Sequence, residues 1–315
     1  MQAILRELES VAVAFSAGVD STLVLRVALD VLGPENVVAV TGRSDSLARA
    51  EFDQAVELAS AVGAEHVVLD TDEFANPNYT SNPSNRCYFC KTTLYDHMER
   101  FIQERGINTI VNGINADDLG DFRPGIQAAK EHAVRAPAAE AGLTKADVRE
   151  LSRRFGLPTF DKPASPCLSS RVPYGQAVTP EKLRMIEAAE AFLHSLGIRE
   201  CRVRHYQSSE PAPNQYRDRE GAVSAQGTDG NSGTPKRRHA ETEGIEARST
   251  ARRAVAHNVA RIEVPSELLP QVSSPETAAR IEEHLRAIGY DEITFDPKGF
   301  RSGSLNEAIL VNIAK

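Results

Sequence analysis

An apolar run that ends in a turn of small residues, followed at once by a helical pattern, is the feature that most restricts the fold. Residues 11–15 have the composition of a buried strand, and the helical pattern extends to Leu32. A turn at this position leaves backbone N–H groups free at a helix N-terminus, where they can bind an anion. The turn comprises Ser16, Ala17, Gly18, Val19, Asp20 and Ser21. The sequence therefore predicts a phosphate-binding loop between a strand and a helix.

The spacing within this turn excludes two common nucleotide-binding loops. It matches neither GxxxxGK[ST] nor GxGxxG, which need glycines at other positions. The hydroxyls of Ser16 and Ser21 can add hydrogen-bond donors, whereas Asp20 would repel a bare phosphate. Asp20 is therefore predicted to bind Mg²⁺ or to orient the loop. On this stretch alone, an ordinary turn between a strand and a helix remains the alternative.

Strand-like apolar runs alternate with amphipathic helical runs over residues 1–160, which are predicted to form one domain. Strands are predicted at 11–15, 37–41, 66–69 and 109–111, and helices at 21–32, 46–62, 87–105 and 144–155. This alternation predicts an α/β fold, with a parallel, doubly wound sheet covered by helices on both faces. Ligands bind such sheets beyond the carboxyl ends of the strands. Thr41, Ser44 and Gly113 follow strands there, so they are expected to share one crevice with the Ser16 turn.

A different pattern begins after residue 160. Residues 161–178 form a crossing segment rich in Pro and Ser that carries Cys167, and residues 179–315 predict a smaller α+β domain. Its helices are predicted at 180–196 and 276–288, and its strands at 201–205, 259–264 and 293–295. Residues 207–256 are polar and lack aliphatic periodicity. They cannot bury enough apolar surface to offset ordering entropy, so a disordered insertion is predicted there.

Length and charge limit the classes of function. The chain has 315 residues and a net charge of −8, which argues against a broad nucleic-acid surface. It contains no run of eighteen apolar residues, so no membrane span is expected. The first residues lack a signal-peptide core, and a cytoplasmic location is the expectation. Four cysteines in such a chain favour metal ligands or reactive thiols over a disulfide framework.

Three of these cysteines form a candidate metal-binding set. Cys87 and Cys90 are one helical turn apart, and Cys167 lies in the crossing segment. Three thiolates can hold three irons of a [4Fe-4S] cluster and leave the fourth iron open. A structural zinc site would need a fourth ligand. Cys201 could supply it, but its alternating strand favours core packing. A redox pair or plain helix cysteines are the alternatives for Cys87 and Cys90.

The turn resembles the pyrophosphate loop, SGGxDS, of the N-type ATP pyrophosphatases, with Ala17 in the second glycine position. Further motifs resemble the LarE family of ATP-dependent sulfur transferases. These motifs cover residues 85–91, 112–125, 161–171 and 299–307. The resemblance extends from Val11 to Glu307, interrupted only by the polar insertion.

The resemblance implies an activity and its cofactors. Family members use ATP and Mg²⁺ to adenylate the carboxylates of pyridinium-3,5-biscarboxylic acid mononucleotide. They convert these groups to thiocarboxylates during biosynthesis of the nickel-pincer nucleotide cofactor of lactate racemase. Members with CxxC as well as the loop cysteine are expected to bind a [4Fe-4S] cluster. The resemblance also implies a homo-oligomer and partners among other proteins of this cofactor pathway.

The same resemblance implies roles for individual residues. Cys167 is expected to be the catalytic sulfur carrier, and Glu190 a catalytic base. Cys87, Cys90 and Cys167 would hold the cluster, and Asp20 would bind Mg²⁺. The phosphate of the nucleotide substrate is assigned to Arg202, Arg204 and Arg301. A solvated arginine face is the alternative for these three residues.

Two other functions share some of these features. A tRNA-thiolating enzyme can combine this loop with CxxC, but it would need a basic RNA-binding track, which an acidic chain does not favour. An ATP-binding iron–sulfur sensor would bind a cluster and ATP without releasing pyrophosphate.

Overall fold

The computed structural model describes residues 1–120, 124–208 and 256–300. The insertion predicted at 207–256 lies almost wholly outside the described residues, and so does Arg301. Apart from Gln207, Ser208 and His257 at strand ends, both sheets described below belong to one compact unit, which contains Met1–Tyr206 and the described residues from Asn258 onwards. Among the described residues, no helix has the length and apolarity that crossing a membrane would require.

The first described part of the chain forms a parallel four-stranded sheet flanked by helices. Its strands are β1 (Val11–Ala14), β2 (Val37–Arg43), β3 (Glu65–Asp70) and β4 (Thr109–Val111), in the order β3-β2-β1-β4. Its helices are α1 (Gln2–Leu8), α2 (Val19–Leu32), α3 (Arg49–Ala61), α4 (Pro77–Thr80), α5 (Arg86–Arg105), α6 (Pro124–Glu131), α7 (Pro137–Glu140) and α8 (Lys145–Arg154). The predicted α/β class is confirmed.

Hydrophobic cores cover both faces of this sheet. Val11 and Val13 of β1 pack into one core with Leu23 of α2, whereas Ala12 faces a second core that contains Met98 of α5. Successive side chains of a strand point to opposite faces, so a strand buried on both sides must be apolar throughout. Because both faces are buried, these strands could be predicted from their apolar sequence.

A smaller mixed sheet follows the crossing segment. It contains β5 (Arg202–Ser208), β6 (His257–Glu263) and β7 (Glu292–Phe295) in that order, with β6 and β7 parallel. Its helices are α9 (Pro180–Ser195), α10 (Leu269–Val272) and α11 (Pro275–Ile288). Val203 and Ile262 share a core with Leu193 of α9 and Leu285 of α11.

The start of α9 agrees with the prediction of a helix from residue 180. Thr179 caps α9 by accepting from the Lys182 backbone N–H, and Pro180 is the first helical residue, as predicted. The prediction for α3 was wrong by three residues, because that helix begins at Arg49 and not at residue 46. The hydroxyls of Ser44 and Ser46 instead hydrogen-bond each other and Glu73, which keeps this stretch in a turn.

The crossing segment packs against both parts of the compact unit. Leu168 and Val172 bury their side chains beside Tyr79 of α4 and against Leu183 and Ile186 of α9. Complete burial of one such aliphatic side chain contributes about 1.5–3 kcal/mol to stability. The residues around Cys167 are therefore fixed by an apolar cluster that the first sheet's connections and α9 build together.

Candidate functional site

The Ser16 turn has the geometry of an anion-binding loop. Gly18 is the N-cap of α2 and has no side chain that could bond the first N–H groups of the helix. The hydroxyls of Ser16 and Ser21 lie 3.2 Å apart. Ala17 adopts a φ of +53°, a conformation that costs an L-residue roughly 1–2 kcal/mol. The loop thus takes the shape of a glycine-containing turn even though alanine occupies that position.

Asp20 is positioned by two residues from distant parts of the sequence. Its Oδ1 accepts from Asn115 Nδ2 at 2.9 Å, and its Oδ2 accepts from Lys145 Nζ. Lys145 is the first residue of α8, which begins with a capping box between Thr144 and Asp147. This capping box marks the start of a helix, but nothing in it signals that Lys145 reaches Asp20. Sequence reasoning therefore missed a cation beside the loop.

The carboxyl ends of β1, β2 and β4 meet at this loop, as predicted. Thr41 Oγ1 donates to the Phe15 carbonyl at 2.8 Å and also lies 2.8 Å from His66 Nε2. A Cβ atom added to Gly113 would lie 2.6 Å from the Ser21 backbone nitrogen. The Ser16 turn, Thr41 and Gly113 therefore share one edge of the sheet.

Ser44 directly follows β2 and lies at the border of a cleft of about 630 Å³. The cleft lies beyond the ends of β2 and β3, and α9 contributes Arg184 and Glu187 to its wall. The Ser44 hydroxyl donates to Glu73 Oε1 at 2.5 Å, and the Ser46 hydroxyl donates to the same oxygen at 3.1 Å. Glu73 is 2% exposed, and its Oε2 atom has no hydrogen-bond partner among the described residues.

The three cysteines of the candidate cluster site come together in space. Cys87 and Cys90 are on the first two turns of α5, and Cys167 directly precedes a short 3-10 helix, Leu168–Arg171. A negative charge on Cys167 raises the pKa of both Cys87 and Cys90, so the three sulfurs share one neighbourhood. Cys201 is buried in the core of the smaller sheet.

Burial and neighbouring charges raise the pKa of the Cys87 and Cys90 thiols. Burial is the main cause that raises the pKa of Cys90 to about 12, and Glu73 and Cys167 raise it further. Cys87 is open to solvent on one side, yet the protein atoms around its sulfur and the Cys167 sulfur raise its pKa. Arg86 and Lys91 act in the opposite direction on Cys87, because a cation favours the thiolate.

Glu190 is buried, and both of its carboxylate oxygens are in use. The Arg171 guanidinium binds it through two hydrogen bonds of 2.9 Å, from Nε to Oε1 and from NH2 to Oε2. Glu190 Oε1 also accepts from the Val203 backbone N–H at 2.9 Å. The residue therefore joins α9 to β5 and to the segment that follows Cys167.

The two strand arginines of the predicted phosphate site have different surroundings. Arg204 is 2% exposed, forms an ion pair with Glu263 at 3.0 Å and donates to the Ser170 carbonyl at 2.6 Å. The Arg202 guanidinium lies over the Phe300 ring, 4.4 Å from its centroid. Burial and the charges of Arg204 and Arg171 lower the pKa of Arg202 to about 10. Arg301 lies outside the described residues.

Comparisons with known proteins agree with this arrangement, although no family model matches the chain. The chain is 39% identical to an uncharacterised protein of Synechocystis sp., over 96% of this chain and 94% of that protein. It is 31% identical to the pyridinium-3,5-bisthiocarboxylic acid mononucleotide synthase of Lactiplantibacillus plantarum, over 98% of this chain and 92% of that protein. It is 30% identical to the tRNA-specific 2-thiouridylase of Xanthobacter autotrophicus, over 57% of this chain and 55% of that protein.

The parallel sheet, the anion-binding turn and these relatives define an ATP-using sulfur transferase of the pyrophosphate-loop class. The match to the synthase of Lactiplantibacillus plantarum covers 98% of this chain and identifies a family within this class. The chain belongs to the LarE family.

Proposed function

We propose that this enzyme converts the carboxylates of pyridinium-3,5-biscarboxylic acid mononucleotide to thiocarboxylates in the biosynthesis of the nickel-pincer nucleotide cofactor. The observation that carries the proposal is the 31% identity, over almost the whole chain, to the synthase of the bisthiocarboxylic acid product. The crossing segment supports it, because Lys162 donates to the Ala17 carbonyl of the pyrophosphate loop at 3.3 Å and Cys167 follows five residues later. Sulfur transfer needs both sites within reach.

The pyrophosphate loop would activate the substrate. A carboxylate is a poor electrophile until one of its oxygens becomes part of a leaving group. In the proposed step a carboxylate oxygen attacks the α-phosphorus of ATP, the bond to the β-phosphate breaks, and pyrophosphate departs. The hydroxyls of Ser16 and Ser21 and the N-terminus of α2 would hold the pyrophosphate. Thr41 and Ser44, at the end of β2, are the proposed contacts for adenosine.

Mg²⁺ fits the same loop through Asp20. The ion prefers oxygen ligands, and Asp20 presents a carboxylate that Asn115 and Lys145 already orient. Bound Mg²⁺ would neutralise phosphate charge as pyrophosphate leaves. Lys145 adds a positive charge on the same side of the loop.

The cysteine trio fits an iron–sulfur cluster better than a single metal ion. Two sulfurs on one zinc ion would be about 3.8 Å apart, from a Zn–S bond of about 2.3 Å. Within the described residues, the one set of three metal-type donors within 4.8 Å of one another is Asp96, Glu99 and His132. At least one pair of the three thiol sulfurs is therefore more than 4.8 Å apart, which suits a multinuclear cluster better than a single ion. A bound [4Fe-4S] cluster would supply an open iron that can carry a transferable sulfide.

The protein's own groups then govern sulfur transfer. The sulfur nucleophile attacks the acyl carbon of the adenylate, and AMP leaves with the original carboxylate oxygen. Arg86 and Lys91 would stabilise negative charge on the cysteine sulfurs. Arg202 is the proposed contact for the phosphate of the nucleotide substrate. An anion there would relieve the repulsion from Arg204 and Arg171 that lowers the pKa of Arg202.

A tRNA-thiolating activity is the second candidate, because the chain resembles a tRNA-specific 2-thiouridylase over about half of each protein. The net charge of −8 argues against it. Filter binding with tRNA separates the two functions. Retention of tRNA at physiological salt would favour the second candidate.

Anaerobic intact-protein mass spectrometry tests the proposed function and identifies the sulfur source. The chain is compared before and after turnover with ATP, Mg²⁺ and the biscarboxylate nucleotide, any cluster being removed with acid, and the product is followed in the same sample. Thiolated product with an unchanged chain mass supports transfer through a cluster. Thiolated product with a chain lighter by one H₂S at Cys167 means that Cys167 is consumed. Pyrophosphate release without thiolated product overturns the proposal.

A further inference from the structure

Three arginines hold the backbone of residues 166–170, named here the Cys167 segment. Arg171 NH1 donates to the Pro166 carbonyl and, at 3.1 Å, to the Cys167 carbonyl. Arg86 NH1 donates to the Ser169 carbonyl at 2.9 Å. Arg204 NH1 donates to the Ser170 carbonyl at 2.6 Å. Four carbonyls of the segment are thus bonded by guanidinium groups from three different elements.

Each of these arginines is buried and has a partner of its own. Arg86 NH1 bonds Asn82 Oδ1 at 2.5 Å, Arg171 forms its forked pair with Glu190, and Arg204 pairs with Glu263. Burial of a guanidinium is costly unless its charge is paired and its donors are bonded. A set of three buried guanidinium groups on one short segment therefore points to a requirement for fixed geometry there.

The smaller sheet supplies two of these anchors. Arg204 belongs to β5, and Glu190 of α9 connects Arg171 to the Val203 backbone N–H in the same strand. On the opposite side, the Leu168 backbone N–H donates to the Ser46 carbonyl at 2.9 Å, in the turn after β2. The Cys167 segment is therefore fixed between the smaller sheet and the strand end that borders the proposed nucleotide site, while the Cys167 side chain itself is exposed.

We propose that Arg171, Glu190 and Arg204 are positioning residues that fix the Cys167 segment to β5. This assigns to Glu190 a role other than the catalytic base predicted from the sequence, and to Arg204 a role other than phosphate binding. Of the two strand arginines, Arg202 then remains as the proposed phosphate contact. The catalytic consequence of this anchoring rests on the proposed function, because Cys167 matters to catalysis only if this segment delivers sulfur.

The catalytic consequence is geometric. Reacting atoms must approach to near-attack distance, and a displacement of about 1 Å can cost roughly 10²-fold in rate. A cysteine on an unanchored loop would sample many positions relative to the adenylate. The carbonyl bonds restrict the backbone on both sides of Cys167 without using its sulfur.

Hydrogen exchange in the full chain without substrate tests the anchoring directly. The informative amides are those of Leu168, Ser170 and Val172, which bond the carbonyls of Ser46, Cys167 and Ser169. Arg204→Lys keeps the charge but loses the fork that reaches both Glu263 and Ser170. We expect exchange of these amides to rise about tenfold or more in this variant. Arg202→Lys is the matched control, with exchange unchanged.

Kinetics separate positioning from phosphate binding. Arg204→Lys is expected to lower kcat with little change in the KM of the nucleotide, and Arg202→Lys to raise that KM. Glu190→Gln is expected to speed exchange and lower kcat while the shape of the pH–rate profile stays the same. Unchanged exchange with a raised KM in Arg204→Lys, or unchanged exchange with a lost limb of the pH profile in Glu190→Gln, overturns the proposal.

The wild-type chain provides a measurement that does not depend on the stability of any variant. Amides of the Cys167 segment should exchange about as slowly as those of β5 if the segment is anchored. Exchange that is orders of magnitude faster overturns the proposal. If exchange is slow but the wild-type enzyme forms no thiolated product, the proposed function fails and the anchoring stands.

Discussion

The backbone nitrogen of Ser21 lies 2.6 Å from the position that a Cβ atom on Gly113 would occupy. The Asp20 carbonyl carbon lies 2.9 Å from the same position. Both neighbours are backbone atoms in the first turn of α2, so neither can rotate away. The loop after β4 therefore packs directly on the pyrophosphate loop, and only glycine allows this approach.

Gly113→Ala is expected to displace the first turn of α2 and so to impair ATP use. We expect pyrophosphate release to fall by roughly 10²-fold, because catalytic groups of the loop move by a fraction of an ångström to about 1 Å. Gly120→Ala is the matched control, since a Cβ atom there meets no atom of the described residues within 4 Å. Steady-state pyrophosphate release measures both variants. Wild-type activity in Gly113→Ala would contradict the role assigned to this contact.

Lys145 places a positive charge beside the pyrophosphate loop. Its ammonium binds Asp20 Oδ2, beside the N-terminus of α2. A hydrogen bond to a charged group contributes about 1.5–3 kcal/mol, so Lys145→Gln is expected to raise the KM of ATP by about tenfold or more. The exposed Lys130 of α6 provides the control variant Lys130→Gln. An unchanged KM of ATP for Lys145→Gln would show that the ammonium only orients Asp20.

The features that the sequence predicted are those set by local pattern. The strands of the first sheet lie within three residues of their predicted bounds, because residues such as Val11, Val38 and Ile110 are buried and must be apolar. Convergence of the Ser16 turn, Thr41 and Gly113 follows from the parallel topology. The cap at Thr179 follows from its own side chain.

Contacts between residues far apart in the sequence could not be predicted. Glu73 and Lys145 are ordinary surface residue types in a linear sequence, and only the fold brings them to Ser44 and Asp20. Arg202 and Arg204 follow the alternation of a strand, which places them on one face. Alternation cannot show that Glu263 and the Ser170 carbonyl already bond Arg204.

Iron binding should depend on Cys87, Cys90 and Cys167 and not on Cys201. Alanine variants of Cys87, Cys90 and Cys167 each remove one proposed ligand, so iron and acid-labile sulfide per chain are expected to fall sharply after anaerobic reconstitution. Cys201→Ala is the control, because this thiol is buried in the core of the smaller sheet and should leave iron content near wild type. Full iron loading of Cys87→Ala and Cys90→Ala would exclude these two cysteines as cluster ligands.

Glu73 links the Ser44 turn to the cysteine site, and its charge should be measurable at Cys90. Both the carboxylate and a Cys90 thiolate are negative, so Glu73 disfavours the thiolate and contributes to the Cys90 pKa of about 12. Glu73→Gln removes that charge and keeps the shape of the side chain. The Cys90 pKa is then expected to fall, which increases the thiolate fraction at any pH below it.

Alkylation of the metal-free chain by iodoacetamide reports this change, since the thiolate is the reactive form. At pH 8.5 the alkylation rate of Cys90, followed by peptide mass spectrometry, is expected to be several-fold higher in Glu73→Gln than in wild type. In both proteins the rate should rise with pH throughout the accessible range, because the pKa lies above it. Cys201 is the internal control, since burial and Glu190 raise its pKa to about 12 and Glu73 does not contribute. An unchanged Cys90 rate in a variant with wild-type thermal stability would show that the carboxylate serves only the hydroxyls of Ser44 and Ser46.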